Sequence, residues 1–260
     1  MANLPTVLRA PDPTSLQLAE RLGVSAAVLE VRATTQLSPQ LYEVVLGGDA
    51  SLGGEPGNDV MVMVTDESGK STRRRYSVRS RDDEANTLTL WVVTNHDGPG
   101  ARWAQHSTVG DLVDVVGPRG KITLDPLADW HLFIGDTTGL ASFYRMAESI
   151  EVPGKAIFIV EVDTMDDART APFNEGLGVT GIFVERQGRD YHDPAGLLTG
   201  LSAFDFPDHV GQAYVFAEFS VVKALTIALH DRGLTDEQIR TKSFYRTGRA
   251  NAGNGEPERD

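Results

Sequence analysis

The sequence predicts two folds in succession, an antiparallel β-barrel and then a smaller α/β domain built on a parallel sheet. In the first half, short β-branched and apolar runs alternate with clusters of Gly, Asp and Asn, a spacing typical of a closed antiparallel barrel rather than of βαβ units. In the second half, almost uninterrupted apolar strands alternate with helical segments, the pattern of a parallel sheet covered on both faces. A chain of 260 residues is long enough for two modest domains.

The barrel is expected at residues 24–124, after a lead-in and a short helix at residues 1–23. The helix begins at Thr14 or Ser15, either of which can serve as its N-cap, and it ends at Gly23. The predicted strands of the barrel are 26–33, 41–46, 60–65, 75–79, 88–94 and 112–116.

The α/β domain is expected at residues 125–248, followed by a polar, Gly-rich tail at residues 249–260 that we predict to be disordered. The acidic segment 163–167 lacks the ligand spacing of an EF-hand, so we expect a solvated loop there. The predicted strands are 130–134, 156–162, 181–185 and 212–217, and the longer predicted helices are 140–150 and 220–232.

Composition excludes several classes of function. The net charge of −13 opposes sequence-independent nucleic-acid binding, which needs a positive surface. The chain has no cysteine, which excludes disulfides, thiolate nucleophiles and cysteine-ligated iron–sulfur clusters. The six histidines are scattered and predict no metal site. No stretch approaches the roughly 20 apolar residues of a membrane-spanning helix, and the N-terminus lacks a secretory pattern, so we expect a cytoplasmic protein without membrane insertion.

The segment 73–79, with the sequence RRRYSVR, carries the residue types that a flavin dinucleotide requires. Tyr76 offers a flat aromatic surface for the ring, Ser77 a hydroxyl for the ring edge, and Arg75 positive charge for the pyrophosphate. Successive side chains of a strand point to opposite faces, so a flat strand could not serve both the ring and the phosphates. We therefore expect a bend or a strand end at Tyr76.

The segment 96–104, HDGPGARWA, follows after an apolar strand. Gly98 and Gly100 allow the backbone to approach an anion closely, and a helix beginning after them would direct free N–H groups at phosphate. We interpret the two segments as two walls of one flavin site. The alternative for each segment alone is simpler, because an arginine run is often a solvated face and a Gly-Pro-Gly an ordinary loop.

A third candidate is the turn between the strand 130–134 and the helix 140–150. A strand, a Gly-containing turn and a helix are the elements by which α/β sheets place ligands at the carboxyl ends of strands, and here the turn offers Asp136 and Thr138. The turn does not contain the G-x-G-x-x-G fingerprint of dinucleotide binding.

Six motifs, in this order, resemble those of the siderophore-interacting protein family, within the ferredoxin-reductase-like superfamily. The resemblance runs from about residue 24 to residue 248 and includes the segments 73–79 and 96–104. The further motifs are 109–120 (VGDLVDVVGPRG), 130–142 (WHLFIGDTTGLAS), 216–225 (FAEFSVVKAL) and 232–248 (RGLTDEQIRTKSFYRTG).

This resemblance implies a flavin-dependent reductase of ferric siderophores. The family's fold is a six-stranded antiparallel barrel that holds FAD, followed by an α/β domain for NADH, NADPH or a ferredoxin-like protein donor. Tyr76 would pack against the flavin ring and Ser77 would hydrogen-bond its reactive edge, which makes these two the candidate catalytic residues. The candidate cofactor-binding residues are Arg75, Tyr76, Ser77, Val78, His96, Gly98, Pro99, Gly100, Ala101, Arg102, Trp103, Asp136 and Thr138.

The substrate implied is a ferric siderophore, released by reduction of its iron. Lys242, Arg246 and Arg249 could form a basic rim for anionic ferric chelates, or they could be solvated surface. No resident metal site is expected.

The chain departs from the family's motifs at three places, and these leave rival functions open. The usual G-D-E-T-A-L-P-A is GDTTGLAS at 135–142, G-E-A-S is AEFS at 217–220, and G-Y-W-R is SFYR at 243–246. One rival is a flavin oxidoreductase with a protein redox partner and no role in iron. Another is a flavin-binding or siderophore-binding module without turnover, in which Phe219 obstructs the donor, and a third is a flavin-free scaffold.

Overall fold

The structure is a computed structural model that describes residues 9–169 and 178–247, with the backbone alone at Arg169. The chain divides into two compact units, residues 1–120 and 121–260. The tail predicted at 249–260 lies outside the described residues. Among the helices of the described ranges, none combines the length and the apolar character needed to cross a bilayer.

The first unit contains a closed antiparallel barrel of six strands, as the sequence predicts. The strands follow one another around the barrel in the order β1-β2-β5-β4-β3-β6. Alternate side chains of each strand point inward, and those of Val62, Val78 and Leu90 are fully buried in its core. The strands are β1 (Ser25–Ser38), β2 (Leu41–Gly47), β3 (Asp59–Thr65), β4 (Ser71–Asp82), β5 (Thr87–Val93) and β6 (Leu112–Arg119).

Two helices pack on this barrel. Helix α1 (Pro13–Leu22) confirms the predicted N-terminal helix and its end at Gly23, which has the left-handed conformation with φ +64°. The predicted N-cap at Thr14 or Ser15 is wrong, because the helix begins at Pro13 and Asp12 occupies the N-cap position. Its buried Leu18 packs with Met61 on the outside of the barrel. Helix α2 (Pro99–His106) buries Ala104 against the barrel core.

The second unit contains a five-stranded parallel sheet in the order β11-β10-β7-β8-β9. Strands β7, β8 and β10 are buried along their whole length, which explains their uninterrupted apolar sequences. The strands are β7 (Trp130–Asp136), β8 (Ala156–Val162), β9 (Thr180–Glu185), β10 (Gly211–Glu218) and β11 (Ile239–Tyr245).

Helices cover this sheet and separate its strands along the chain. One apolar cluster joins the sheet to the last two helices through Leu197 and Leu225, and aromatic side chains such as Phe133 and Phe143 form a second cluster. The helices are α3 (Leu140–Glu148), α4 (Met165–Arg169), α5 (Ala195–Ser202) and α6 (Phe219–Asp231).

The acidic segment 163–167 differs from its prediction as a solvated loop. Its residues 165–167 form the start of α4, and Asp167 is only 1% exposed. The carboxylate of Asp167 accepts a hydrogen bond from the backbone N–H of Thr164 at 3.1 Å. A hydrogen bond of this kind caps the start of a helix locally. The acidic composition of the segment alone does not predict that helix.

Candidate flavin site

Strand β4 changes its partner halfway along its length. Residues 71–77 pair with β3, and residues 78–82 pair with β5. An irregularity between Val78 and Ser80 makes Arg79 a bulge. The bend expected at Tyr76 therefore lies three residues later, and the strand continues through Tyr76. Within the described residues, the edge of β4 at 71–77 that faces away from β3 has no strand partner.

Tyr76 lies on this part of β4 and packs against α2. Its ring stacks on that of Trp103, with the centroids 5.9 Å apart and the planes at 27°. Its hydroxyl lies beside Gly100, where a β-carbon would come within 2.0 Å of the phenol oxygen. The segments 73–79 and 96–104 are thus in direct contact. Burial raises the pKa of the Tyr76 phenol, which therefore stays protonated.

The side chains of Arg75 and Ser77 point to the other face of β4 and both bind Asp59. The Nε atom of Arg75 lies 2.5 Å from one carboxylate oxygen of Asp59, and the Ser77 hydroxyl donates to the other oxygen at 2.8 Å. Asp59 has no exposed surface. The charge of Arg75 therefore compensates a buried carboxylate.

Arg74 is the arginine that shares a face with Tyr76. A β-carbon at Gly100 would lie 3.2 Å from its Cγ, which places the stem of Arg74 at the start of α2. Its guanidinium donates to the hydroxyl of Thr72 and to the carbonyl of Arg73, both at 2.9 Å. The prediction for the pyrophosphate named Arg75 and not Arg74, although the period-2 alternation of a strand places Arg74 on the face of Tyr76.

The N-terminus of α2 suits an anion. Pro99 stands in the first turn after the extended Gly98, and no side chain of the described residues caps the helix. The first turn holds no acidic residue. The N–H groups of Gly100 and Ala101 therefore belong to an uncapped helix start, the part of a helix that attracts phosphate.

Two flanking candidates are bound to surface neighbours. The Arg102 guanidinium pairs with Asp97 and lies 3.2 Å from a carboxylate oxygen of Glu67. The Nδ1 atom of His96 lies 2.5 Å from the side-chain oxygen of Asn95.

The carboxyl ends of the sheet in the second unit hold a network centred on Asp136, which is 3% exposed. One oxygen of Asp136 accepts from the N–H of Thr138 at 2.9 Å and from its hydroxyl. The other oxygen accepts from the N–H of Glu218 at 3.2 Å and from the hydroxyl of Tyr245 at 3.1 Å. Burial raises the pKa of Asp136, and the hydrogen bonds from Thr138 oppose that rise.

This network bridges the point where the strand order reverses, between β7 and β10. In open α/β sheets that point is where a ligand usually binds. The side chains of Asp136 and Thr138, both predicted to bind the cofactor, are here bonded to each other and to β10 and β11. Asp136 thus joins the ends of β7, β10 and β11, and cofactor binding by Asp136 or Thr138 stays a prediction.

Glu218 occupies the N-terminus of α6. One oxygen of its carboxylate accepts from the N–H groups of Ser220 and Val221, and the other from the N–H of Thr247 at 3.0 Å. The next residue, Phe219, is 37% exposed.

The structure contradicts the predicted basic rim at one of its three residues, Lys242. Lys242 is 1% exposed, with its Nζ atom 5.1 Å from the ring centre of Phe244, so it is not a surface residue. Arg246 is exposed and lies 4.7 Å above the ring of Phe219. Arg249 lies outside the described residues. Within the described ranges, no three metal-ligating side chains group together.

Two family models match the chain, one in each unit. The model of the siderophore-interacting FAD-binding domain matches residues 55–122, and the model of the siderophore-interacting protein matches residues 128–248. The first match contains both segments of the candidate flavin site.

Known proteins similar to the chain include a curated enzyme and two solved structures. The ferric vibriobactin reductase ViuB of Vibrio cholerae is 30% identical over 99 residues, which are 38% of this chain and 36% of that protein. The chain thus matches about a third of that relative's length. A siderophore utilization protein from T. fusca superposes with a TM-score of 0.77 at 25% identity, covering 89% of this chain and 96% of that one. The siderophore-interacting protein of Acinetobacter baumannii gives a TM-score of 0.74 at 18% identity, covering 88% and 93%.

Proposed function

Since the chain belongs to the siderophore-interacting protein family, we propose that it is a flavoprotein that reduces ferric siderophores with electrons from a nicotinamide nucleotide. The observation that carries the proposal is the contact between Tyr76 and the Gly98–Trp103 turn on one barrel. The fold alone would leave the chemistry open, because this superfamily fold serves many electron donors and acceptors.

The residues of this contact fit FAD. Tyr76 and Trp103 provide stacked aromatic surface beside the unpaired edge of β4, and the uncapped start of α2 provides N–H groups for a pyrophosphate. Arg74 brings positive charge to the same turn. Arg75 and Ser77 contribute through Asp59, because that buried carboxylate fixes the strand from its other face.

Held beside Tyr76 and the start of α2, FAD would supply the chemistry that reduction of Fe(III) requires, because a flavin takes up two electrons as a hydride and can give them up singly. One reduced nicotinamide nucleotide therefore provides the electrons to reduce two ferric siderophores. The products are the oxidised nucleotide, a proton, two Fe(II) ions and the free chelators. Hard oxygen donors hold Fe(II) less tightly than Fe(III) because its charge density is lower. The protein's part is to position the reactants and to exclude water from the ring.

The test is a visible spectrum of the purified chain loaded with FAD. Under anaerobic conditions, NADH or NADPH should bleach the flavin band, and a ferric siderophore should then restore it while a coloured Fe(II) chelator reports the released iron. Bleaching without return of the band on addition of ferric siderophores would contradict the iron role. An unchanged spectrum with both nucleotides would contradict the nicotinamide donor.

A second candidate is the same flavoprotein with a protein electron donor. It is favoured by the polar groups at the carboxyl ends of the sheet, because they are already bonded within the protein. Asp136 bridges the strand ends and Glu218 caps α6. The large side chain of Phe219 stands where the family motif has an alanine. If Phe219 obstructs a nucleotide, Phe219→Ala should accelerate bleaching by NADH. If the donor is a protein, reduced ferredoxin should bleach the flavin of both the wild type and this variant.

A further inference from the structure

The carboxyl ends of β8 and β9 carry a second charged group of residues, which we call the Glu161 cluster: Glu161, Asp163, Arg186 and Arg189. Glu161 is 1% exposed and pairs with Arg186 at 2.6 Å and with Arg189 at 2.8 Å. The Nε atom of Arg186 also donates to Asp163 at 2.9 Å. Each arginine of the cluster is therefore paired with an acid.

The Glu161 cluster lies where a bound dinucleotide would place its adenosine ribose. In doubly wound sheets, the adenosine ribose is read just after the second strand, where an acid accepts the 2′-hydroxyl or an arginine pairs with a 2′-phosphate. Of the five strands of this sheet, β8 is the second in chain order, and Glu161 lies one residue before its end. This step rests on the proposed nicotinamide donor.

The charge balance at this edge disfavours a 2′-phosphate. The described segments 161–169 and 185–190 contain three arginines, Arg169, Arg186 and Arg189. They also contain six acids, namely Glu161, Asp163, Asp166, Asp167, Glu185 and Asp190. A phosphate monoester would add about two further negative charges.

The arginines cannot turn to such a phosphate without cost. Arg186 is 4% exposed and lies 4.3 Å over the ring of Tyr191, which fixes its plane. Moving it would leave the carboxylate of Glu161 buried with one partner fewer, and an uncompensated buried charge strongly destabilises a fold. Arg186 and Arg189 thus serve Glu161 rather than a ligand.

We propose that the Glu161 cluster makes the chain selective for NADH over NADPH, by neutralising the arginines that would otherwise bind the 2′-phosphate.

The first test uses the FAD-loaded full chain and the oxidised nucleotides, which cannot react with oxidised flavin. Isothermal titration calorimetry should give a dissociation constant for NAD⁺ at least about tenfold lower than that for NADP⁺. Anaerobic bleaching by NADH and NADPH is measured in parallel. Equal or tighter binding of NADP⁺ overturns the inference, while bleaching by NADPH in the same experiment would leave the proposed function standing. If neither nucleotide binds and neither bleaches the flavin, the nicotinamide donor itself is wrong and the inference is overturned with it.

The second test changes the charge of the cluster. Glu161→Gln should raise the affinity for NADP⁺ about tenfold and leave that for NAD⁺ nearly unchanged, because two guanidinium groups lose their shared acid. Circular dichroism establishes whether this variant is folded, and an unchanged NAD⁺ to NADP⁺ ratio in the folded variant overturns the inference.

If Glu161→Gln does not fold, Asp190→Asn provides the test instead. Asp190 is exposed, and its replacement removes one negative charge beside the cluster. NADP⁺ binding should tighten about twofold, as expected for a partly screened surface charge. Asp208→Asn is the matched control, an exposed acid three residues before the start of β10 and so near the opposite edge of the sheet. Equal effects of the two substitutions overturn the inference.

Discussion

The hydroxyl of Tyr76 fills the space beside Gly100, because a β-carbon at that position would lie 2.0 Å from the phenol oxygen. Two motifs that are separated by the whole of β5 along the chain are therefore interdependent. Because Gly100 has no side chain, Tyr76 and the turn at residues 98–103 can lie against each other.

Gly100→Ala should weaken FAD binding by at least about tenfold, because the added methyl must displace either the Tyr76 ring or the start of α2. Overpacking of this kind also lowers the free energy of unfolding, typically by about 1–3 kcal/mol. The measurements are calorimetric titration of the FAD-free chain with FAD and thermal unfolding of the same sample. Unchanged affinity and stability would mean that the contact between the two segments has no role in the site.

Gly98→Ala is the control for the stability part of this prediction. No atom lies within 4 Å of a β-carbon at Gly98, and its φ of 178° is extended backbone that any residue adopts. The unfolding temperature of the FAD-free variant should therefore equal that of the wild type.

The two neighbouring arginines of β4 should behave differently when each is replaced by glutamine. Arg74→Gln should weaken FAD binding by roughly tenfold or more, the value of a charge-assisted hydrogen bond, with little loss of stability. Arg75→Gln should destabilise the fold by about 3–5 kcal/mol, because the buried carboxylate of Asp59 loses a charged partner. Urea unfolding and FAD titration of both variants separate the two effects, and the reverse assignment would return Arg75 to the pyrophosphate.

The barrel could be predicted from the sequence because its strands bury alternate apolar side chains, which leaves a period of two. The bounds of β4 could not, since its first half is polar and becomes a strand by pairing with β3 from Ser71 to Ser77. Strand β11 was missed for a related reason. Its sequence IRTKSFY carries charge, yet it lies at the end of the strand order and Lys242 is buried beside Phe216 and Phe244.

The candidate site was predictable in its location but less so in its details. The two segments with Tyr76 and Gly100 are local motifs, and local motifs are readable along the chain. The pairing of Arg75 with Asp59 joins two strands, and the sequence holds no sign of which acid will be buried opposite which arginine. The roles of Arg74 and Arg75 therefore depended on the register between β3 and β4.

His131 should make the chain sensitive to acid. It is buried on β7 between Phe133 and Tyr214, and this burial lowers its pKa to about 4, with Asp125 and Lys155 as the nearest charges. The unfolded chain binds a proton at His131 below about pH 6.5, whereas the folded chain does so only near pH 4. Stability is therefore fully present above pH 6.5 and falls as the pH drops from 6.5 to 4, by up to about 3 kcal/mol.

His131→Phe should remove this part of the pH dependence and keep the aromatic packing. Thermal unfolding at pH 7 and pH 4.5 measures the difference, which should be smaller in the variant than in the wild type. The same substitution at the exposed His192 is the control and should leave the difference unchanged. Equal acid sensitivity of all three proteins would assign it to other groups.

Tyr245→Phe should lower the stability of the α/β unit without affecting FAD binding to the barrel. The substitution removes only the hydroxyl that donates to Asp136 at 3.1 Å. The carboxylate keeps its hydrogen bonds from Thr138 and from the N–H of Glu218, so the expected loss is that of one bond to a buried charged group, about 1–3 kcal/mol. Thr226→Val is the control, because the Thr226 hydroxyl donates to a carbonyl within its own helix, that of Val222, and its loss should cost less than about 0.5 kcal/mol. Urea unfolding followed by circular dichroism measures both variants. If Tyr245→Phe is as stable as the wild type, the hydrogen bond between Tyr245 and Asp136 does not help to hold β11 at the strand ends.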